Sequence, residues 1–298
     1  MTTSATPLPL ADLTRLHDEI LDWFTRAARD LPWRRDASPW AVMVSEFMLQ
    51  QTPVSRVLPV YEAWLGRWPT PAALAGESPG EAVRAWGRLG YPRRALRLHA
   101  AATAIVDRHD GEVPDSLDAL LALPGVGAYT AAAISSFAFG RREVVLDTNV
   151  RRVFARVIGG EQFPPAAVTG AERDLAATLL PVRDAHRWAA ATMELGAVVC
   201  TARTPRCDEC PVADLCRWRA ADYPAYDGPV RRGQAWHGTD RQCRGRLMAV
   251  LRDTPGPVPK STLDLVWPDA LQRERALDGL VADGLVEPLA DGLFALPR

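Results

Sequence analysis

The chain has 298 residues, 48% of them hydrophobic and 24% charged, with a net charge of -1, which is the balance of a globular protein with room for two domains and a small third. This composition excludes wholesale disorder, and the longest apolar runs, such as Ala131 to Phe139, fall short of the ~18 residues of a membrane span. The near-neutral charge excludes nucleic-acid binding through a global field and leaves it to local basic patches.

The first ten residues carry no basic stretch followed by an apolar one, which predicts no secretory signal and a cytoplasmic protein. Leu13, Leu16, Ile20, Leu21 and Phe24 recur at three- and four-residue spacing, the pattern of an amphipathic helix. Similar periodicity, broken by short Pro and Gly clusters, runs through most of the first 220 positions and predicts an all-helical region. The segment Trp40 to Leu49 is apolar on nearly every side of its helix, yet it contains Glu46. A carboxyl in such surroundings is desolvated and stays protonated, as a general acid must; a structural Glu bonded to backbone or to a basic partner is the other reading.

Between Arg84 and Arg108, six arginines stand against one aspartate, Asp107, forming either a DNA-facing patch or a solvated helix face. Of the 35 basic residues in the chain only Lys260 is a lysine. Leu123-Pro124-Gly125-Val126-Gly127 lies between the helical segments Ser116 to Leu121 and Thr130 to Phe139 and reads as a helix-hairpin-helix. Its glycines permit a tight turn, and the amides that open the second helix can hold a phosphate oxygen, so Gly125, Val126 and Gly127 are candidate DNA-backbone contacts. Asp147 directly precedes a helical run ending near Ile158 and by itself reads as an N-cap, which keeps a carboxylate ionised at a helix N-terminus. One protonated and one ionised carboxyl, Glu46 and Asp147, are what cleavage of a glycosidic bond requires.

Cys200, Cys207, Cys210 and Cys216 are separated by six, two and five residues. Four close thiols in a reducing compartment point to a metal centre; zinc ribbons pair two Cys-x2-Cys knuckles, whereas this compact run suits a 4Fe-4S cubane better. Arg203 and Arg206 in the same loop could then reach phosphates. Cys243, outside the group, reads as an ordinary buried thiol. Residues 223–238 carry turn formers without periodicity and read as a linker. Beyond it, Arg246 to Arg252, Ser261 to Asp264 and Leu271 to Leu280 predict three helices. Leu285 to Glu287 and Leu293 to Ala295 predict two strands around Asp291-Gly292, so that residues 239–298 form a small winged-helix-like domain.

The hairpin, the following Asp and the cysteine spacing together resemble the endonuclease III superfamily of DNA repair glycosylases. Leu31-Pro32-Trp33-Arg34, Ser45 to Thr52, Gly87-Arg88-Leu89-Gly90-Tyr91 and Leu146 to Val150 are similar to the adenine DNA glycosylases, the MutY family. That resemblance implies a two-lobed, all-α helix-hairpin-helix fold with a catalytic cleft between the lobes. Residues 1–30 and 142–222 would form the iron-sulfur lobe and residues 31–141 a six-helix lobe. It implies removal of adenine mispaired with 8-oxoguanine or guanine in double-stranded DNA, by a monomer near the nucleoid and away from membranes.

By the same resemblance Glu46 protonates the extruded adenine, Asp147 stabilises the sugar cation, and Tyr129 and Asn149 orient the site. Gln51 and Tyr91 wedge into the base stack, while Arg29, Trp33, Arg34, Leu49 and Glu194 line the adenine pocket. Bifunctional members carry a lysine where this chain has Tyr129, which implies a monofunctional enzyme. Typical members append a NUDIX-like β domain that reads 8-oxoguanine. The residues after Tyr223 are too few and too helical to form one, which leaves discrimination of the opposite base to Thr52, Leu89 and Tyr91 or to the tail. A pyrimidine or thymine-mismatch glycosylase on the same scaffold, and a non-catalytic DNA-binding iron-sulfur protein, are the rival readings.

Overall fold

A computed structural model describes residues 9–228 and 236–298; the part of the linker at 229–235 lies outside the described residues. Fifteen α-helices and three short strands are found among those described: α1 (Leu10–Ala27), α2 (Pro39–Leu49), α3 (Val54–Arg67), α4 (Pro71–Ala75), α5 (Pro79–Trp86), α6 (Arg93–Arg108), α7 (Leu117–Leu121), α8 (Ala128–Phe139), α9 (Thr148–Phe154), α10 (Gly170–Leu179), α11 (Ala185–Val198), α12 (Arg217–Ala220), α13 (Asp240–Asp253), β1 (Val258–Pro259), α14 (Lys260–Asp264), α15 (Ala270–Ala282), β2 (Glu287–Pro288) and β3 (Leu293–Ala295). The chain divides into two compact units. One comprises Met1–Val42, Asp115–Leu117 and Gly127–Val230, and the other Met43–Pro114, Asp118–Val126 and Arg231–Arg298.

In the first unit the amphipathic stripe of α1 buries Leu16 and Ile20 against Val150, Val153 and Phe154 of α9 and Trp188, Ala191 and Leu195 of α11. Trp188 is the pivot of this core: His17 meets its ring edge-on at 4.7 Å and Phe154 lies nearly parallel to it at 6.4 Å. The helical run after Asp147 is split. α9 ends at Phe154 and continues as a π-helical turn, Ala155–Gly159.

In the second unit α6 packs on α4 and α5, and Trp64, Trp68 and Trp86 meet edge-to-face at 4.6 and 5.6 Å, a geometry that matches ring edges to ring faces. The C-terminal segment belongs to this unit. Its helices begin earlier than periodicity predicts because polar caps lie upstream: the Thr239 hydroxyl accepts from the Gln242 amide, and Asp269 accepts from the Gln272 amide at 3.0 Å. A third strand, β1, completes an antiparallel sheet in the order β1-β3-β2, with Val258 opposite Phe294 and Glu287 opposite Ala295. A two-residue strand ending in Pro shows no alternation, so the sequence does not announce it. The order helix, strand, helix, helix, strand, strand is that of a winged helix, with Cys243, Leu247, Leu251, Leu263, Leu277 and Leu280 buried.

This winged-helix segment is fastened to α5 and α6. The Gly80 amide donates to the Pro297 carbonyl at 2.8 Å, Arg84 donates to the carbonyls of Thr254 (3.2 Å) and Arg252, and Asp283 pairs with Arg93 (3.2 Å) and Arg244. A Cβ at Gly80 would collide with the Pro297 carbonyl oxygen and lie 2.9 Å from the Leu296 Cβ. Gly80→Ala is therefore expected to cost roughly 1–3 kcal/mol through overpacking. Denaturant unfolding, together with faster proteolysis within residues 236–298, checks this.

Candidate active site and cluster-binding loop

α2 opens with Pro39 as its first residue and with the Ala41 amide donating to the Ser38 hydroxyl at 3.2 Å, and from Met43 onward it belongs to the second unit. Every residue from Trp40 to Met48 is buried, and Glu46 is only 5% exposed. Leu49 is half-buried, after which the helix stops and Gln51 turns into the left-handed region at φ 53°, exposed to solvent. Thr52 is buried, its hydroxyl near the carbonyls of Gln50 (3.1 Å) and Leu89 (3.4 Å).

The group that shapes this corner is Arg94, which is 5% exposed. Its guanidinium donates to the carbonyls of Phe47 (2.9 Å), Met48 (3.1 Å), Gln50 (2.6 Å) and Gly90 (3.1 Å), and to the Thr52 hydroxyl (3.0 Å). Burial lowers its pKa to about 10, so it remains charged at neutral pH and offsets the negative end of the α2 dipole. Reading Arg94 as part of a DNA-facing or solvated patch is therefore incorrect. Its position gives the signal: Arg94, Leu98, Ala101, Ala102 and Ile105 form the buried stripe of α6. Tyr91, just before α6, also has a left-handed backbone (φ 48°), and neighbouring Leu89 is buried.

In the first unit, Asp147 caps α9. One carboxylate oxygen accepts from the amides of Asn149 (2.8 Å) and Val150 (2.7 Å), and the other accepts from the Asn149 side-chain amide at 2.6 Å. Burial raises its pKa above the ordinary carboxylate range, against the pull of the Val150 amide, Asn149 and Arg152. The cap predicted from sequence is present, but desolvation, which local sequence does not report, outweighs its ionising effect. The buried Arg152 donates to the Asn149 side-chain oxygen (2.9 Å) and to the carbonyls of Gly196 (2.6 Å) and Cys200 (2.8 Å). α9 can lie this close to α11 because residue 196 is glycine. A Cβ there would be 2.7 Å from both the Asn149 Cβ and its carbonyl oxygen.

Tyr129 is half-buried near the start of α8, packed with Phe137 and Met193 against Ala132, Ala133, Val145 and Ala189. Arg29, Arg34 and Glu194 come together. Glu194 is fully buried, accepting from the Arg29 Nε (2.7 Å), Nη2 (2.8 Å) and backbone amide (3.1 Å) and from the Arg34 Nη2 (2.9 Å). Trp33 sits in the short 3-10 turn that carries Arg34.

In the hairpin, the Val126 amide closes a turn onto the Leu123 carbonyl at 3.2 Å, with Gly125 at φ 78°. Gly127 precedes α8, whose N-terminus has no side-chain cap.

The four cysteines border one cavity, together with Arg156, Leu195 and Trp218. Burial raises Cys210 to about 12, and the neighbouring thiols push in the same direction, so a bound cationic centre is what would hold them as thiolates. Among the described residues no three His, Cys, Asp or Glu side chains are placed to hold a single metal ion. A 4Fe-4S cubane takes one thiolate at each of its four irons, which the four cysteines around this cavity would supply. The loop is laced to the π-helical turn by the buried Arg156, which reaches the Cys200 Sγ (3.3 Å) and the carbonyls of Thr201 (2.8 Å) and Ala202 (3.2 Å) and lies 4.5 Å over the Trp218 ring. Arg203 and Arg206 are both exposed, and Arg206 also donates to the Val198 carbonyl and pairs with Glu209.

Arg29 and Arg34 hold the Glu194 pKa down to about 2, below its usual 4.5, despite burial. A depressed carboxyl pKa stabilises the fold above the unfolded value, and that contribution is lost as pH falls through the folded one. Glu194→Gln is expected to destabilise by roughly 3–5 kcal/mol at pH 7. The deficit should shrink as pH drops from 4.5 toward 2, read by thermal unfolding across that range.

Comparisons with known proteins identify the family. Residues 44–175 match the model of the HhH-GPD superfamily base excision DNA repair proteins, and residues 200–216 match the iron-sulfur binding domain of endonuclease III. An adenine DNA glycosylase of Mycolicibacterium smegmatis is 55% identical over 282 residues, covering 93% of this chain and 94% of that one. One of Mycobacterium tuberculosis is 54% identical over 281 residues, covering 93% and 92%. Alignments of that extent reach into the winged-helix segment. The solved structure of a thermostable thymine-DNA glycosylase superposes with a TM-score of 0.64 at 26% identity, covering 71% of this chain and 98% of that chain. The hairpin and the iron-sulfur loop thus occur in a chain similar over nearly its whole length to these enzymes, and it belongs to the adenine DNA glycosylase family of the HhH-GPD superfamily.

Proposed function

We propose that this protein hydrolyses the N-glycosidic bond of adenine mispaired with 8-oxoguanine or guanine in duplex DNA and leaves an abasic site. The observation that carries the reading is Asp147: a desolvated carboxyl, held by two amides and the Asn149 side chain, suits the site of a sugar cation better than a purely structural cap. The mycobacterial relatives supply the choice of base.

A base inside a duplex cannot reach a protein carboxyl, so adenine must first be extruded. Glu46 then donates its proton to N7, the bond from N9 to C1′ breaks, and the base leaves neutral. The positive charge developing on the sugar is stabilised by the Asp147 carboxylate, which Asn149 keeps oriented. Water adds to C1′ and its proton is taken up by Glu46. Tyr129 stands where a strand-cleaving relative has its amine nucleophile. Lys260 is tied to Asp264 (2.7 Å) and Glu274 (2.5 Å), which keeps it protonated and unsuited to Schiff-base formation. Gln51 and Tyr91, both on left-handed backbone, are the wedge residues. Arg29, Trp33, Arg34 and Leu49 contact the extruded base, with Glu194 holding the two arginines in place. Gly125, Val126 and Gly127 hold a phosphate, and a bound 4Fe-4S cluster cross-links the Cys200 to Cys216 loop.

Duplexes with A:8-oxoG, A:G, G:T or a damaged pyrimidine, incubated with the protein and treated with alkali, test the reading; cleavage only at pyrimidines or thymine overturns it. Glu46→Gln should lower single-turnover base release by about 10²–10⁴-fold while retaining DNA binding. Asp147 must be ionised to face the cation, so the rate should fall as pH falls, with an acid limb above 3.8 because burial raises this group. Asn149→Ala removes a bond that favours the ionised form and should move that limb to higher pH in single-turnover pH profiles.

A further inference from the structure

The winged-helix segment brings a cation and a second aromatic ring to Tyr91. Arg241, in the first turn of α13, lies with its guanidinium carbon 5.1 Å from the Tyr91 ring centroid and 5.6 Å from that of Trp236, and it donates to the Tyr91 hydroxyl at 3.3 Å. Arg94 lies 5.5 Å from the same Tyr91 ring. Tyr91 and Trp236 are 47% and 48% exposed, and Arg241 is exposed as well. The result is a run of alternating guanidinium groups and rings, Arg94, Tyr91, Arg241 and Trp236, of which the last three are exposed.

This platform is firmly mounted. Gly90, the residue before Tyr91, has its carbonyl held by Arg94 (3.1 Å) and by the Trp86 indole (3.0 Å). α13 is fixed through Arg244 and Asp283, and Asp283 also pairs with Arg93 of α6. Exposed aromatic faces and arginine planes are the surfaces on which unpaired bases stack. Extruding a base leaves its partner unpaired, and guanine and 8-oxoguanine both then present an acceptor, O6, to a nearby donor fork. Arg241 has one donor engaged with Tyr91 and others to offer.

We propose that Arg241, backed by Trp236 and Tyr91, contacts the purine opposite the extruded adenine, so that the winged-helix segment is the chain's reader of the opposite base. The inference rests on the adenine glycosylase reading above. It is tested with the full chain and duplexes carrying a non-cleavable 2′-fluoro-adenosine opposite 8-oxoguanine, guanine or a tetrahydrofuran abasic analogue. Arg241→Ala should weaken binding to the purine-opposed duplexes about tenfold more than to the abasic-opposed one. Arg241→Lys, which keeps the charge and loses the planar fork, should show the same selective loss.

Equal weakening on all three duplexes, or recovery by lysine, would mark Arg241 as a phosphate contact and overturn the proposal. Unchanged binding in both variants would do the same. Wild-type release of adenine from A:8-oxoG is measured alongside: its absence refutes the parent reading, whereas an active wild type with indifferent variants refutes only the role of Arg241.

Discussion

A buried guanidinium cannot shed its proton and must find acceptors for a rigid fork of five donors; this constraint governs the functional corners of both units. Arg94 gathers the carbonyls at the end of α2 and the Gly90 carbonyl, Arg152 gathers those of Gly196 and Cys200 together with Asn149, and Arg156 gathers the cysteine loop. Each is the kind of interaction that penalises displacement of any partner, since a loosened carbonyl leaves a charge uncompensated in the interior. Loops are ordinarily the mobile parts of a fold. Here those carrying Gln51, Tyr91, Asp147 and Cys200 are pinned from beneath by arginine.

Two carboxyl groups, Glu46 and Asp147, lie in different settings. Glu46 sits within α2, where every residue from Trp40 to Met48 is buried. Burial raises the Asp147 pKa, and three hydrogen bonds oppose that rise, two of them from Asn149, whose side chain Arg152 orients.

Much of this was legible in the sequence because it is local. The apolar run around Glu46, the glycine spacing at 125 and 127, the cap position of Asp147 and the intervals between the cysteines are each contained in a short stretch of sequence. What was not legible is long-range. Nothing near Arg152 in the chain signals that its acceptors lie 44 and 48 positions away. The extra strand Val258–Pro259 exists only because β3 pairs with it. Arg94 is intermediate: its register on the apolar stripe of α6 is visible in the sequence, but a charge count treats it as surface. The net direction for Asp147 likewise follows from the packing around it, which the cap motif does not encode.

Because Arg94 binds the Gln50 and Gly90 carbonyls at once, the turn that ends in Gln51 and the one that presents Tyr91 share a single fastening point. Neither loop can gain or lose a residue without dragging the other out of alignment. Over evolutionary time the two should therefore be inherited as a matched pair of fixed length, drifting in side-chain identity while their spacing stays frozen.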